Sequence, residues 1–331
     1  MSIESCPHIT IVGAGQMGSR HLQGLALIDR EIDVSVVDPS NSSLKLAETR
    51  FQEMAVNDFV RSVTYSESME TLDKNIDLAI IASNSNVRRR IIEDLLDRVD
   101  VRYMILEKVA FQSVDDFQAV LELFKKEEVK AWVNCAKRMH PVYKNIRREL
   151  RDEDIIHMQV IGGKWGLACN AIHLLDLFAF LTGEIVQKID TSGLDPKIYE
   201  SKRNGFIELG GKIESETPRG DYLTLTDNKE LKEIEIQQHI TSDNHHYNIF
   251  QLDGKYNHEH KKNGWQVQEE TFPEFPQSQL THLIVQSVLD SGECDLSSLD
   301  ESYILHKPML EGFINHIEKI TGKKYDKCPI T

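Results

Sequence analysis

One stretch constrains this chain more than any other: His8 to Leu25, HITIVGAGQMGSRHLQGL. Ile9, Thr10, Ile11 and Val12 have strand character and run directly into Gly13-x-Gly15-x-x-Gly18. A helical pattern follows, with Leu22, Leu25 and Ile28 on one face and Met17 and His21 leading in. Glycine-rich turns are common for structural reasons alone, and the order strand, glycines, helix is what gives this one chemical meaning. Gly13 permits the tight turn, Gly15 lets backbone approach a pyrophosphate, and Gly18 lets helix and strand pack closely. The helix start offers unpaired N–H groups and a positive dipole end to phosphate.

A second element strengthens the dinucleotide reading. Asp33-Val34-Ser35-Val36-Val37-Asp38 reads as the next strand, and Asp38 follows Gly18 by 20 residues. An acidic residue there hydrogen-bonds the adenine ribose 2′-OH and repels a 2′-phosphate, so NAD is expected. NADP stays open, because Ser40 and Asn41 lie nearby, and Asp38 can instead cap the helix beginning near Ser40.

A length of 331 residues accommodates two domains with filled cores. Hydrophobic content of 40% and charged content of 27% suit a soluble globular protein. With 38 basic and 53 acidic residues the net charge is −15, which disfavours nucleic acid and anionic membrane as partners. The five cysteines, Cys6, Cys135, Cys169, Cys294 and Cys328, are scattered and form no C-x-x-C pair. That spacing argues against a zinc site or a disulfide framework and for a reducing compartment, so no metal is expected. No apolar run approaches membrane-span length and no leader precedes the first strand, so a cytoplasmic location is expected.

From Ile9 to about Val133, short apolar strands alternate with helical stretches. Strands are expected at 62–65, 77–82, 103–106 and 129–133, with helices near 43–52, 87–99 and 114–126. The run Asp77–Ala82 is almost continuously apolar, as a parallel strand covered on both faces should be. This grammar builds a doubly wound parallel sheet whose ligands bind at the strands' carboxyl ends, where Ser83-Asn84 and Glu107-Lys108 stand. Past Asn134 the pattern changes. A helix near 141–151, a strand near 155–161 and an apolar helix from Ala171 to Leu181 precede strands at 206–213, 222–226, 233–240, 247–252 and 265–269. Such a succession suggests a mostly antiparallel sheet, closed by helices near 278–290 and 301–320. The expected domains are 1–133, dinucleotide-binding, and 134–331, an α+β unit for substrate and assembly.

Two residues stand out for chemistry. Lys108 ends a strand at the edge where a nicotinamide would lie, and a lysine there can bind a substrate hydroxyl and assist proton movement. A solvated Glu107–Lys108 pair is the plain alternative. His173, in Ala171-Ile172-His173-Leu174-Leu175-Asp176, suits a general base, yet a histidine amid aliphatic residues is more often a core residue. Asp176 lies one helical turn on and can orient the imidazole or bind nearby backbone.

The segments GAGQMGSRH, LAIIASNSN, ILEK, VNCAKRMHPVY and CNAIHLLDL, in that order, resemble the glucose–fructose oxidoreductase / inositol dehydrogenase / MocA family. The closing THLIVQSVLDSGECDLSSLDESYILHKPMLEGF is similar to that family's last two helices, so the likeness runs almost end to end. It implies a Rossmann domain followed by a large open-faced, mostly antiparallel sheet that mediates dimer or tetramer contacts. It also implies reversible NAD(P)-dependent oxidation of a sugar, cyclitol or related hydroxyl. By that resemblance Gly13, Gly15, Gln16, Met17 and Gly18 form the cofactor turn, and Asp38 the ribose position. Ser83 and Asn84 pass the nicotinamide ribose, Glu107 and Lys108 match a Glu-Lys-Pro motif with Lys108 the catalytic lysine, and His173 is the base. Asn134, Arg138 and Pro141 match the crossover segment.

The departures matter as much. The motif's proline is Val109, a usual histidine is Arg88, and the aspartate usual four residues before the base is Cys169. Proton transfer would then rest on His173 and Lys108, with Asn170 or Asp176 assisting. Trp165 and Asn170 either contact a polar substrate ring, or Trp165 is a buried aromatic closing the sheet. The expected substrate is a sugar, amino sugar, nucleotide sugar or cyclitol. Two rivals are a cofactor-binding sensor or assembly protein without turnover, and a reductase of an imine or enone on the same fold.

Overall fold

The computed structural model describes residues 6–150, 154–273 and 275–331. It divides into two compact units. The first comprises Met1–Phe111, Asp115–Ala136 and Phe275–Asp300, the second Gln112–Val114, Lys137–Glu274 and Glu301–Thr331.

In the first unit, β1 (His8–Val12), β2 (Ile32–Val37), β3 (Val60–Ser66), β4 (Asn75–Ile81), β5 (Asp100–Leu106) and β6 (Lys130–Val133) run parallel. A short strand, β16 (Ser297–Ser298), pairs antiparallel with β6, so the sheet order is β16-β6-β5-β4-β1-β2-β3. The apolar content of each strand follows its place. Leu78, Ala79, Ile80 and Ile81 of central β4 are fully buried, whereas edge strand β3 has no buried residue. The helices are α1 (Gln16–Leu25), α2 (Asn41–Gln52), α3 (Ser85–Leu96), α4 (Val114–Lys126) and α7 (Thr281–Ser291). Gly24 lets α1 approach the start of α7, since a Cβ there would lie 2.6 Å from Cβ of Thr281.

The expected boundary near residue 133 lies beside one crossing, at Ala136; the chain also leaves the first unit at Gln112–Val114. The chain re-enters the first unit at Phe275–Asp300, where α7 packs on α1 and β16 pairs with the edge strand β6. A short polar segment such as Ser297-Ser298 carries no strand pattern of its own.

The second unit is built on β7 (His157–Gly163), β10 (Gly211–Glu216), β11 (Tyr222–Asp227), β12 (Glu235–Thr241), β13 (His245–Phe250), β14 (Lys255–His260) and β15 (Gln268–Thr271). Their order is β10-β11-β7-β12-β13-β14-β15, antiparallel except for the parallel pair β11 and β7. A two-stranded piece, β8 (Tyr199–Glu200) with β9 (Ile207–Glu208), stands apart, so the expected strand at 206–213 is two strands, β9 and β10. β14 was not expected: KYNHEH has no aliphatic alternation to betray it. The helices are α5 (Pro141–Glu149), α6 (Leu167–Thr182) and α8 (Leu299–Thr321). Arg151, the expected end of the first of these, lies outside the described residues. No helix among the described residues is long and apolar enough to cross a membrane.

α6 is apolar nearly all round because it is buried nearly all round. Its start is held by carboxylates from two strands. Asp227 accepts the N–H groups of Gly166 and Leu167 (both 3.0 Å), and Glu208 those of Ala168 (3.0 Å) and Cys169 (3.3 Å). Lys229 pairs with Asp227 at 2.7 Å and offsets the concentrated negative charge.

Candidate active site

The glycine turn has the geometry its spacing predicts. Gly13 has φ +99°, and a Cβ there would lie 2.9 Å from the backbone of Ala82 and Ser83. A Cβ on Gly18 would come within 1.7 Å of the Gly13 carbonyl, so helix and turn touch at backbone distance. At Gly15 a Cβ would meet nothing within 4 Å; the space above it is open. Gly15 is also the N-cap of α1, with no side chain capping the helix and no acidic residue in its first turn.

That open space continues into a cavity of about 600 Å³ lined by Gly13, Gly15, Asp38, Ser83 and Asn84 among others. Asp38 accepts the Ala14 N–H at 2.7 Å and the Ser40 N–H at 2.8 Å, so it ties the turn to the start of α2. Ser40 itself is that helix's N-cap. The Ser83 hydroxyl is buried with no hydrogen-bond partner among the described residues. Gln16 is exposed and accepts from Arg50 at 2.7 Å, and Met17 is half-buried beside it. A bare helix N-terminus, a cradle that one methyl group would fill and an unsatisfied hydroxyl fit a dinucleotide, with pyrophosphate at Gly13–Gly18 and ribose at Asp38.

Glu107 is expected among the cofactor contacts, and the structure turns it inward instead. It is 4% exposed, and its carboxylate accepts from His21 (2.9 Å) and Asn134 (2.5 Å). His21 is hydrogen-bonded to Thr281 (3.0 Å), and Asn134 donates to Gln277 (2.8 Å). Burial alone would raise the Glu107 carboxyl, but the His21 bond and charge, then Asn134 and Lys108, pull it down to about 2. Lys108 is the one residue from Tyr103 to Ser113 that is not buried. The peptide after it, Lys108–Val109, is cis although Val109 replaces the proline. Arg88, the other departure, is 1% exposed. Its guanidinium donates to the carbonyls of Ala110 (2.7 Å), Val109 and Ser83, joining the loops after β4 and β5. Nothing in the sequence signalled that staple beyond an arginine in an unusual place.

In the second unit the structure separates the predicted residues. His173 is half-buried, and it is the one residue from Ala171 to Phe178 that is not fully buried, so it is no core histidine. Asp176, expected to orient it or contact substrate, is fully buried in a two-pronged pair with Arg138, both contacts at 2.8 Å. Trp165, expected against a substrate ring, is 8% exposed and donates to the Thr226 carbonyl at 2.9 Å. It is the buried aromatic of the two readings. Asn170 donates to the Trp165 carbonyl at 2.7 Å and pins the turn before α6. Two residues that sequence reasoning missed lie at the entry to α5. Burial pulls the Lys137 ammonium down to about 8, and burial with the Lys137 charge takes His140 to about 4. An amine titrating near neutrality is a proton-transfer candidate that no spacing announces.

A parallel sheet in this strand order, with its glycine cradle and acidic ribose position, defines a dinucleotide-binding Rossmann protein. Residues 8–135 match the family model described as oxidoreductase family, NAD-binding Rossmann fold (GFO_IDH_MocA), a match that spans the Rossmann part of the chain. No curated protein sequence matches the chain. Among solved structures, UDP-N-acetylglucosamine 3-dehydrogenase from Acidithiobacillus ferrooxidans is similar at 13% identity, with 93% of this chain and 96% of that one covered and a TM-score of 0.69. Biliverdin reductase from Synechocystis sp. PCC 6803, in complex with biliverdin and NADP+, is similar at 15% identity, with 96% and 99% covered and a TM-score of 0.69. A super-repressor mutant of Gal80p from Saccharomyces cerevisiae is similar at 11% identity, with 95% and 97% covered and a TM-score of 0.72. At these identities the likeness is one of fold.

Proposed function

We propose that this protein is an NAD-dependent dehydrogenase or reductase acting on a secondary hydroxyl or the corresponding keto group of a sugar, amino sugar, nucleotide sugar or cyclitol. One observation, made twice, carries the reading. In each of two otherwise buried stretches, the residue that reaches the surface is the one with acid–base chemistry: Lys108 in Tyr103–Ser113 and His173 in Ala171–Phe178. The nicotinamide supplies the hydride acceptor or donor. Lys108 binds and polarises the reacting oxygen through Nζ. His173 takes the hydroxyl proton during oxidation. Asp38, Glu67 and Asp94 around the cavity favour NAD over a cofactor with a further phosphate. The fold shared with a UDP-N-acetylglucosamine dehydrogenase supports a nucleotide-sugar substrate.

The Lys108→Ala variant should lose at least about 100-fold in turnover with NADH affinity nearly unchanged, as for removal of a proton-transfer group. A screen of NAD reduction across sugars, inositols and nucleotide sugars supplies the assay, and unchanged turnover would sink the assignment. Cys169 in place of the family's aspartate is the observation favouring a cofactor binder without turnover, and the absence of any turnover in that screen would support it. We also propose a homodimer or homotetramer assembled through the open sheet face, where Ile161 of β7 is exposed. Light scattering should then give two or four times the 37.9 kDa of the chain.

A further inference from the structure

The strand that the sequence concealed carries a second cluster of chemistry. β13 and β14 pair with His245 opposite His260 and Tyr247 opposite His258. A strand alternates faces, so these four rings share one face, and His245 and Tyr247 are buried there. Tyr247 stacks on His258 with ring centres 4.2 Å apart, and His245 lies parallel to His258 at 5.3 Å. Stacking brings nitrogens together: Nδ1 of His245 lies 3.1 Å from Nε2 of His258. Glu149, the last residue of α5, places Oε2 at 3.8 Å from Nε2 of His258 and accepts the Tyr247 hydroxyl at 2.5 Å. One ligand atom from each of Glu149, His245 and His258 lies within 4.8 Å of the other two.

We propose that Glu149, His245 and His258 form a site for one divalent transition-metal ion of the zinc class, which fastens the β13–β14 hairpin to the end of α5. Ligand atoms about 2.0–2.2 Å from a tetrahedral ion stand roughly 3.3–3.6 Å from one another, and the two spacings at Nε2 of His258, 3.1 and 3.8 Å, bracket that range. The two imidazole nitrogens are within hydrogen-bond distance of each other, and an ion would replace that bond with two coordinate bonds. Tyr247 gives its proton to Glu149, so Nδ1 of His245, 3.2 Å from that hydroxyl oxygen, gains no donor from it. Unless one ring donates to the other, two lone pairs face each other, and a cation between them satisfies both. The cysteine spacing that argued against zinc does not bear on a site built from histidine and glutamate. His260 lies outside the group of three whose ligand atoms converge, and its Nδ1 accepts the Lys262 N–H at 3.0 Å.

The test uses tag-free, full-length protein stripped with a chelator and titrated with Co2+, whose visible absorption reports nitrogen and oxygen ligation. The expected result is one Co2+ per chain, displaced by one Zn2+, with affinity at least about 10-fold weaker in His258→Gln and Glu149→Gln. Zn2+ should raise the melting temperature of the wild type by a few degrees and leave that of His258→Gln unmoved. NADH titration of each variant checks that it has folded. No stoichiometric Co2+ spectrum, or undiminished affinity in His258→Gln, would leave a hydrogen-bonded histidine pair and overturn the proposal. Equal weakening in His260→Ala would overturn it too, since the binding would then be spread over the chain's 13 histidines.

Discussion

At Gly13, Gly15 and Gly18, three residues of one type do three different jobs, and mutation separates them. Gly15 has φ −64° and free space where its Cβ would go, so a larger residue there fits the fold and obstructs only what enters the cavity. Gly15→Val should lower NADH affinity at least about tenfold with an unchanged melting temperature, whereas Gly18→Ala should lower that temperature by several degrees. Fluorescence titration beside thermal unfolding measures both; equal effects at the two positions would contradict the division. The glycines were legible because a backbone requirement limits which residue can occupy the position. Trp165 was left between two readings and the partner of Asp176 was missed, because a side chain's role depends on partners far along the chain. Trp165 finds the carbonyl of Thr226, and Asp176 finds Arg138, which lies 38 residues before it.

Between elements, the buried polar cluster around Glu107 links the end of β5 to α1, α7 and the residue after β6. Its energetics are visible in pH. The folded-state pKa, about 2, lies below the ordinary 4.5, so the stabilisation is full above pH 4.5 and drains away as pH falls toward 2. The shift corresponds to roughly 3 kcal/mol at most. Glu107→Gln should be less stable than wild type at pH 7, and the difference should shrink steadily between pH 5 and pH 3. Denaturant unfolding at a series of pH values measures it, and a constant difference would assign the loss to packing. Elements of the first unit were readable from apolar runs because strands covered on both faces need them. β14 was hidden because one of its faces carries histidine and the other asparagine and glutamate, so its burial comes from rings and hydrogen bonds.

For the molecule as a whole, the change of grammar near residue 134 lies beside the crossing at Ala136, and the return at Phe275–Asp300 had no sequence signal. Nothing local in Ser297-Ser298 says that it completes a sheet begun nearly 300 residues earlier; only the unpaired edge of β6 does. That return has a practical consequence for anyone wishing to dissect the protein. The Rossmann unit is not a module that scissors can remove in one cut. A fragment ending at residue 136 would leave β6 as a bare edge and the α7-facing side of α1 wet, a combination that invites aggregation. A chimera that grafts residues 275–300 onto that fragment through a flexible tether should be monodisperse and bind NADH, while the plain fragment should precipitate. Size-exclusion chromatography of the two distinguishes a covalently interleaved architecture from two independent beads on a string.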